Sequence, residues 1–297
     1  HAGIYKCPPP MAHKVFQVSA WTEPANWRWY ASDKLNLMEG VYAGPWANPG
    51  DAPAVWGAYG KDESMAGTLP LEGTLRGITH QRLVMYVRPL NLWVLTDRLL
   101  ASGQHQYEQA WYVPTLPGGV AFTPDHIKVD AAHKCIFTDE PQVEINKQVI
   151  KKANLALYQF TAADLKYSEK VTPRTPINGR VYNFGWMRIG ASWTGAGKQQ
   201  IITAVLAKAP GLTGSESDLR QIQPLASGQR ATGFEATTPG GQVIRYLASP
   251  DQDDDLVIGK VRMQGECLLL AEDYGMALGC RGMTIDGQAV HPGSSDF

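Results

Sequence analysis

The chain has 297 residues, 44% hydrophobic and 19% charged, which supplies material for a large core and is too apolar for a disordered polymer. Its net charge of -1 excludes the basic excess of a general nucleic-acid binder, yet leaves room for a local basic face. No run reaches the ~20 apolar residues of a membrane-crossing helix, and 30 glycines, 20 prolines and nine tryptophans suit a turn-rich β protein.

His1 opens directly into Ala2-Gly3-Ile4-Tyr5, with no signal peptide in view. A chain that starts without methionine is processed, truncated or only partly represented. Trp27-Arg28-Trp29-Tyr30 is an early aromatic cluster, and residues 43–73, rich in Gly, Pro, Asp and Ala, read as a long surface loop that contains Trp46. Arg82–Arg88 then reads as a strand, Pro89-Leu90-Asn91 as a turn, and Leu92–Leu100 as the returning strand. Ala101-Ser102-Gly103-Gln104 is expected to turn the chain again into His105–Val113, which makes a three-stranded antiparallel meander. The first two of these strands are apolar on both alternating faces, so they are expected between layers.

Further strands are expected at 126–129, 134–138, 142–146, 155–161, 181–192, 199–207, 232–237, 242–248, 256–263, 267–272 and 276–285. Pro239-Gly240-Gly241 and Asp286-Gly287 are turn signals between such runs. The 147–156 region, with Lys147, Lys151 and Lys152, has no clear period, and 209–228 reads as irregular. Many strands at short spacing, with weak helical periodicity throughout, predict an all-β chain. The expected architecture is a large, supersandwich-like antiparallel β-sandwich spanning 1–297, either a single domain or two closely packed sheet layers.

Cysteine usage is sparse, with four in the chain. Cys267 and Cys280 flank Glu272–Gly275, and a hairpin centred on Asp273-Tyr274 would set them opposite each other. A cross-strand disulfide, fitting a periplasmic or extracellular location, and two neighbouring free thiols are both open readings. The acidic run Asp251–Asp255 reads as a solvated loop; calcium is the sharper reading, but the spacing lacks alternating ligands and a closing glutamate.

Several side chains carry chemistry worth weighing. His80 and Arg82 are the weak catalytic candidates, able to meet a carboxylate, or else to serve as a structural strand start. Asp97 shares a strand face with Trp93 and Leu95 and needs a cationic partner, for which Arg82 and Arg98 are at hand. Trp27, Arg28, Trp29, Tyr30 and Trp46 are the substrate-binding candidates, since aromatic faces stack on sugars and arginine holds a carboxylate or sulfate. Aromatic core packing is the equal alternative for that cluster. His105, Tyr107 and Trp111 are expected to pack as a sheet face. His1 with His13 or His133 supplies nitrogen donors of the kind that copper takes, with nothing else in the chain to match such a site.

Glu39-Gly40-Val41-Tyr42, then Thr79–Pro89, Leu92–Leu99 and His105–Trp111, follow one another in an order that resembles the β-sheet portion of heparinase II/III-like polysaccharide lyases. The resemblance implies a C-terminal β-sandwich that partners an N-terminal α-toroid domain, with an acidic, uronate-bearing polysaccharide in the cleft between them. It implies β-elimination, in which a base removes the C5 proton beside the carboxylate and a tyrosine or histidine protonates the leaving sugar. The residues that do this chemistry in the family fall mostly upstream of this chain, so the chain alone is expected to lack turnover. No cofactor is required by this chain; the intact family protein can hold a structural zinc, with His1 the metal candidate here. Ala2 and Gly3 stand where the family has asparagine and threonine after that histidine. A rival from a different class is a non-catalytic carbohydrate-binding or structural surface module. No nucleic acid and no membrane span enter either reading.

Overall fold

The computed structural model describes residues 27–42, 78–115, 124–140, 142–145, 147–151, 153–172, 176–177, 180–181, 185–207, 222–228, 230–237 and 241–290. The expected loop at 43–73 and its Trp46, together with His1 and His13, lie outside the described residues. In chain order the strands are β1 (Trp27–Ala31), β2 (Leu35–Tyr42), β3 (Ile78–Val87), β4 (Leu92–Thr115), β5 (Ile127–Asp130), β6 (Cys135–Thr138), β7 (Gln142–Ile145), β8 (Gln148–Lys151), β9 (Leu155–Phe160), β10 (Lys166–Thr172) and β11 (Pro176–Ile177). They continue as β12 (Arg180–Val181), β13 (Gly185–Ala207), β14 (Ile222–Ser227), β15 (Ala231–Thr237), β16 (Val243–Ala248), β17 (Asp255–Ile258), β18 (Val261–Gln264), β19 (Cys267–Leu270), β20 (Gly275–Leu278), β21 (Gly282–Ile285) and β22 (Gln288–Val290). Among the described residues the only helical pieces are two single 3-10 turns, Arg88–Leu90 and Pro124–His126.

The largest sheet runs β1-β2-β3-β4-β13-β9-β6-β5, with β10 also paired to β13, and a second sheet runs β14-β15-β16-β19-β20. A third has the order β17-β18-β21-β22, and β7-β8 and β11-β12 are two-stranded. All of these pairings are antiparallel, as short turns between successive strands allow. The turns have local causes. Ser32 Oγ accepts the Leu35 amide at 3.0 Å to close β1 onto β2, and Asn91 takes the left-handed conformation after Pro89-Leu90. Asp286 and Gly287 both have positive φ, the requirement of a two-residue hairpin turn between β21 and β22.

The meander expected across 82–113 takes a different form. β4 does not turn in the plane of the sheet at 101–104; it stays paired to β13 on both sides of that point. Twelve residues of straight strand would span ~40 Å, yet Gln109 Nε2 lies 2.9 Å from Asp97 Oδ2 on the same strand. The β4–β13 ribbon is therefore folded over as a unit, so that residues 104–115 and 185–196 lie on top of 92–101 and 197–206. The crease is a register shift at Ala196/Gly197, where Gln104 and Ala101 become successive partners and Ser102-Gly103 bulge out. Gly197 sits there at φ +68. The same crease explains why the two strands expected at 181–192 and 199–207 form one hydrogen-bonded strand. Elsewhere β14 falls within the segment expected to be irregular, β8 within the unassigned lysine-rich segment, and 256–263 splits into β17 and β18 at Gly259.

Alternation places the cores. Leu35, Leu37, Leu83, Met85, Leu92, Val94, Ile202 and Ala204 face one way from the large sheet and meet Phe234, Ile244, Tyr246, Cys267 and Leu269 of the second sheet. Next-door residues Leu247 and Leu268 point to the opposite side of the second sheet and pack with Leu256, Ile258 and Met263 of the third. The second sheet is thus buried on both faces. Gly233 shows how closely its strands are seated, since a Cβ there would meet the Tyr246 carbonyl oxygen at 1.8 Å. On the outer face of the large sheet, the folded-over ribbon buries Tyr107 and Trp193 against Ile78, Leu99 and Ile201. It also sets Val113, Met187 and Ile189 against Ile127, Ile136 and Leu157. The chain is an all-β stack of antiparallel sheets, as the strand spacing predicts.

Candidate functional site

The outer face of the large sheet carries His80, Arg82 and Asp97, brought together by the register Arg82↔Asp97 between β3 and β4. Asp97 is buried and accepts hydrogen bonds from Arg82 Nε at 2.6 Å, Arg82 Nη2 at 2.8 Å, His80 Nε2 at 2.7 Å and Gln109 Nε2 at 2.9 Å. Burial by itself would raise its pKa, but the Arg82 charge and the His80 and Arg82 hydrogen bonds outweigh it and hold the carboxyl well below the usual range. Gln109 passes the network on, its Oε1 accepting from Trp111 Nε1 at 3.1 Å, Gln159 Nε2 at 2.6 Å and Thr203 Oγ1 at 3.0 Å. Tyr167 completes it by donating to Gln159 Oε1 at 2.8 Å. Such a fully bonded network pins the folded ribbon to the sheet beneath it. Arg98, the other cation considered for Asp97, faces the opposite side of β4.

There, Arg98 lies in a polar row that crosses the inner face from β1 to β13. Glu39 accepts from Arg28 Nε, from Arg28 Nη2 at 2.8 Å and from Gln81 Nε2. Arg98 Nε donates to Gln200 Oε1 at 3.3 Å. Glu266 of the second sheet closes the row, its Oε2 taking Arg28 Nη2 at 2.5 Å and Arg98 Nη1 at 3.2 Å. Two arginines meet two buried glutamates, so Arg28 is held by carboxylates of its own chain.

The rest of the aromatic cluster divides by strand alternation. Tyr30 shares the Arg28 face and packs on the main core, whereas Trp29 points outward and is 60% exposed. The side chain of Trp27 lies outside the described residues. A cleft of about 590 Å³ opens where β1 meets the second and third sheets, lined by Arg28, Trp29, Tyr30, Lys34, Tyr274 and apolar side chains. Lys34 at its edge is bonded to Asp273 at 3.2 Å.

A group that the sequence reading missed lies beside Trp29 on the outer face. Tyr86 and Trp93 face each other across the Pro89–Asn91 turn and stack with ring centroids 4.6 Å apart. Trp93 is 45% exposed and Met38, paired with Trp29, is 51% exposed. The Arg88 guanidinium lies 5.9 Å from the Tyr86 ring and donates to the Ser32 carbonyl and Asn36 Oδ1, each at 3.2 Å. Among the described residues no carboxylate is paired with Arg88. The expected three-residue turn at 89–91 would have set residue 86 opposite 94; the connection takes in Arg88 as well, and that sets Tyr86 opposite Trp93.

The remaining candidates are placed as follows. Tyr107 is buried and packs at a tilt against Trp193, ring centroids 5.5 Å apart, with His105 tilted beside it at 6.2 Å. Cys267 pairs with Leu278, not Cys280, because the hairpin is centred one residue earlier than expected. Cys267 joins the main core and Cys280 packs on the opposite side of the second sheet, so both are free thiols and the disulfide reading falls. The acidic loop is tied to basic neighbours, with Asp251 on Lys198 and Arg230, Asp253 on Arg281 and Asp255 on Arg262. Among the described residues no three His, Cys, Asp or Glu side chains group as a metal site.

No protein-family model and no curated protein matches the sequence. Solved structures do align with it. A heparan sulfate lyase, HepC, from Pedobacter heparinus covers 91% of this chain at 11% identity and a TM-score of 0.41. A heparinase III gene product covers 87% at 9% identity and a TM-score of 0.42, and a further heparinase III covers 88% at 11% and 0.43. The chain spans only 27–29% of the length of these structures. A likeness of this degree says nothing about chemistry, which has to come from the side chains.

Proposed function

We propose that this chain is the β-sheet portion of a polysaccharide-lyase-like protein of the heparinase II/III kind, and that its outer face binds an acidic, uronate-bearing polysaccharide. The observation that carries the reading is the stack of half-buried Tyr86 on exposed Trp93, with Trp29 on the same face and Arg88 beside it. Stacked rings offer flat apolar area to sugar faces, and a guanidinium with no carboxylate partner among the described residues offers paired donors to a uronate or sulfate. The ordered succession from Glu39 to Trp111 supports the same family reading. His80 and Arg82 serve as anchors of Asp97, so proton abstraction belongs to an N-terminal α-toroid partner and not to this sheet. A periplasmic or extracellular location goes with that substrate.

The test is calorimetric titration with heparan sulfate and alginate oligosaccharides, alongside ultraviolet absorbance for unsaturated uronate. Binding without turnover is expected. Trp93→Ala removes the stack and is expected to weaken binding about 5- to 150-fold, using ~1–3 kcal/mol as the worth of one aromatic stacking contact. Unchanged affinity in Trp93→Ala would overturn the site, and turnover by this chain alone would overturn the division of labour.

A further inference from the structure

The outer face does not end at the Tyr86–Trp93 stack. Register places Trp29↔Met38↔Val84 in the next row along β3, and Gly40↔Arg82↔Asp97 in the row after that. The row continues to Trp27 on β1, and at Gly40 it has no side chain; among the described residues a Cβ built there meets nothing within 4 Å. Among the described side chains, β2 therefore leaves a gap beside Arg82. Two of the three guanidinium nitrogens of Arg82 are fastened to Asp97. The third, Nη1, has no partner among the described residues, and the side chain is 24% exposed. A guanidinium locked along one edge and open along the other is preorganised for an anionic group, because little rotamer freedom remains to be lost.

We infer that Gly40 and Arg82 form a second anion subsite, and that the bound glycan runs along β3 from Arg88 to Arg82. This rests on the acidic-polysaccharide reading above. Tyr86 and Arg82 are four residues apart on an extended strand, ~13 Å, a span longer than one sugar ring. The ligand is thus an oligosaccharide with repeated acidic groups rather than a single uronic acid. Trp29 and Met38 form the apolar strip between the two guanidinium ends.

The decisive substitution is Gly40→Glu. It sets a carboxylate opposite Arg82, a cross-strand pair that does not disfavour the fold, and it fills the gap with negative charge. Gly40→Gln, of the same size and uncharged, separates charge from bulk. Uronate oligosaccharides graded from disaccharide to decasaccharide are titrated into the full chain and both variants. The wild-type affinity is expected to rise with length until both subsites are spanned. Gly40→Glu is expected to cancel that rise, an effect of about tenfold for one charge-assisted contact, while the disaccharide still binds at the stack. Gly40→Gln is expected to fall between the two. Equal affinity of wild type and Gly40→Glu for the longest ligand would overturn the second subsite and leave the stack intact. Failure of the wild type to bind any of the ligands would overturn the polysaccharide reading itself, and Arg82's part with it.

Discussion

Replacing Asp97 by Asn tests the network that joins the folded ribbon to the sheet. The substitution keeps the shape and removes the charge that neutralises Arg82, and it sets an amide NH2 among groups that all donate: Arg82, His80 and Gln109. Removing one partner of a buried ion pair costs about 3–5 kcal/mol. Arg82 still reaches water, so a loss near the lower end, about 3 kcal/mol, is expected from that range. The pH dependence follows from the same residue. Its folded pKa lies below its unfolded value, so its stabilisation is complete above the unfolded pKa of about 4 and is lost as the pH falls toward the folded one. Urea unfolding of wild type is therefore expected to show a falling midpoint below about pH 4, and Asp97→Asn a lower midpoint with less of that slope. The double variant Arg82→Gln, Asp97→Asn removes the uncompensated cation and is expected to recover part of the loss. A midpoint for Asp97→Asn within about 0.5 kcal/mol of wild type, the range of an ordinary surface change, would refute the network as a structural anchor.

Two further outcomes follow from the geometry. Gly197→Ala forces an alanine into positive φ at the crease of the β4–β13 ribbon and is expected to cost roughly 1–2 kcal/mol, with Gly195→Ala unsuitable as a control because its Cβ meets the Gln199 side chain. Thermal denaturation compared with Gly287→Ala, another positive-φ glycine but one in the β21–β22 turn and not in the β4–β13 ribbon, checks whether loss of the fold-over adds to the local strain. The thiols give the third test. Burial pushes the Cys267 thiol up to about 11, so a thiol reagent at neutral pH is expected to label Cys280 in the folded chain and Cys267 only after unfolding. Peptide mapping of a Cys267–Cys280 disulfide from the native protein would contradict the hairpin register.

Much of the local structure was written in the sequence, because its causes are local. Pro89-Leu90-Asn91 and Asp286-Gly287 have few conformations other than turns, and short apolar runs mark β3, β15 and β16 without reference to anything distant. Asp97 could be read as needing a cation for an equally local reason, since a carboxylate among Trp93 and Leu95 cannot be buried alone. What the chain could not disclose is which of two alternating faces gains a cover. Trp29 and Tyr30 are neighbours with the same chemistry, yet one is a surface ring and the other core, decided only when the second sheet packs below β1. Ala101–Gln104 carries signals that suit an in-plane turn and a crease of a paired ribbon equally well. The choice belongs to the pairing with β13, almost a hundred residues away, where the register shift at Ala196/Gly197 lets both strands fold together and bury Tyr107 and Trp193. Tertiary packing settled these points because burying an apolar face is a long-range, non-directional gain, and residue order along one strand does not specify where that face finds its partner.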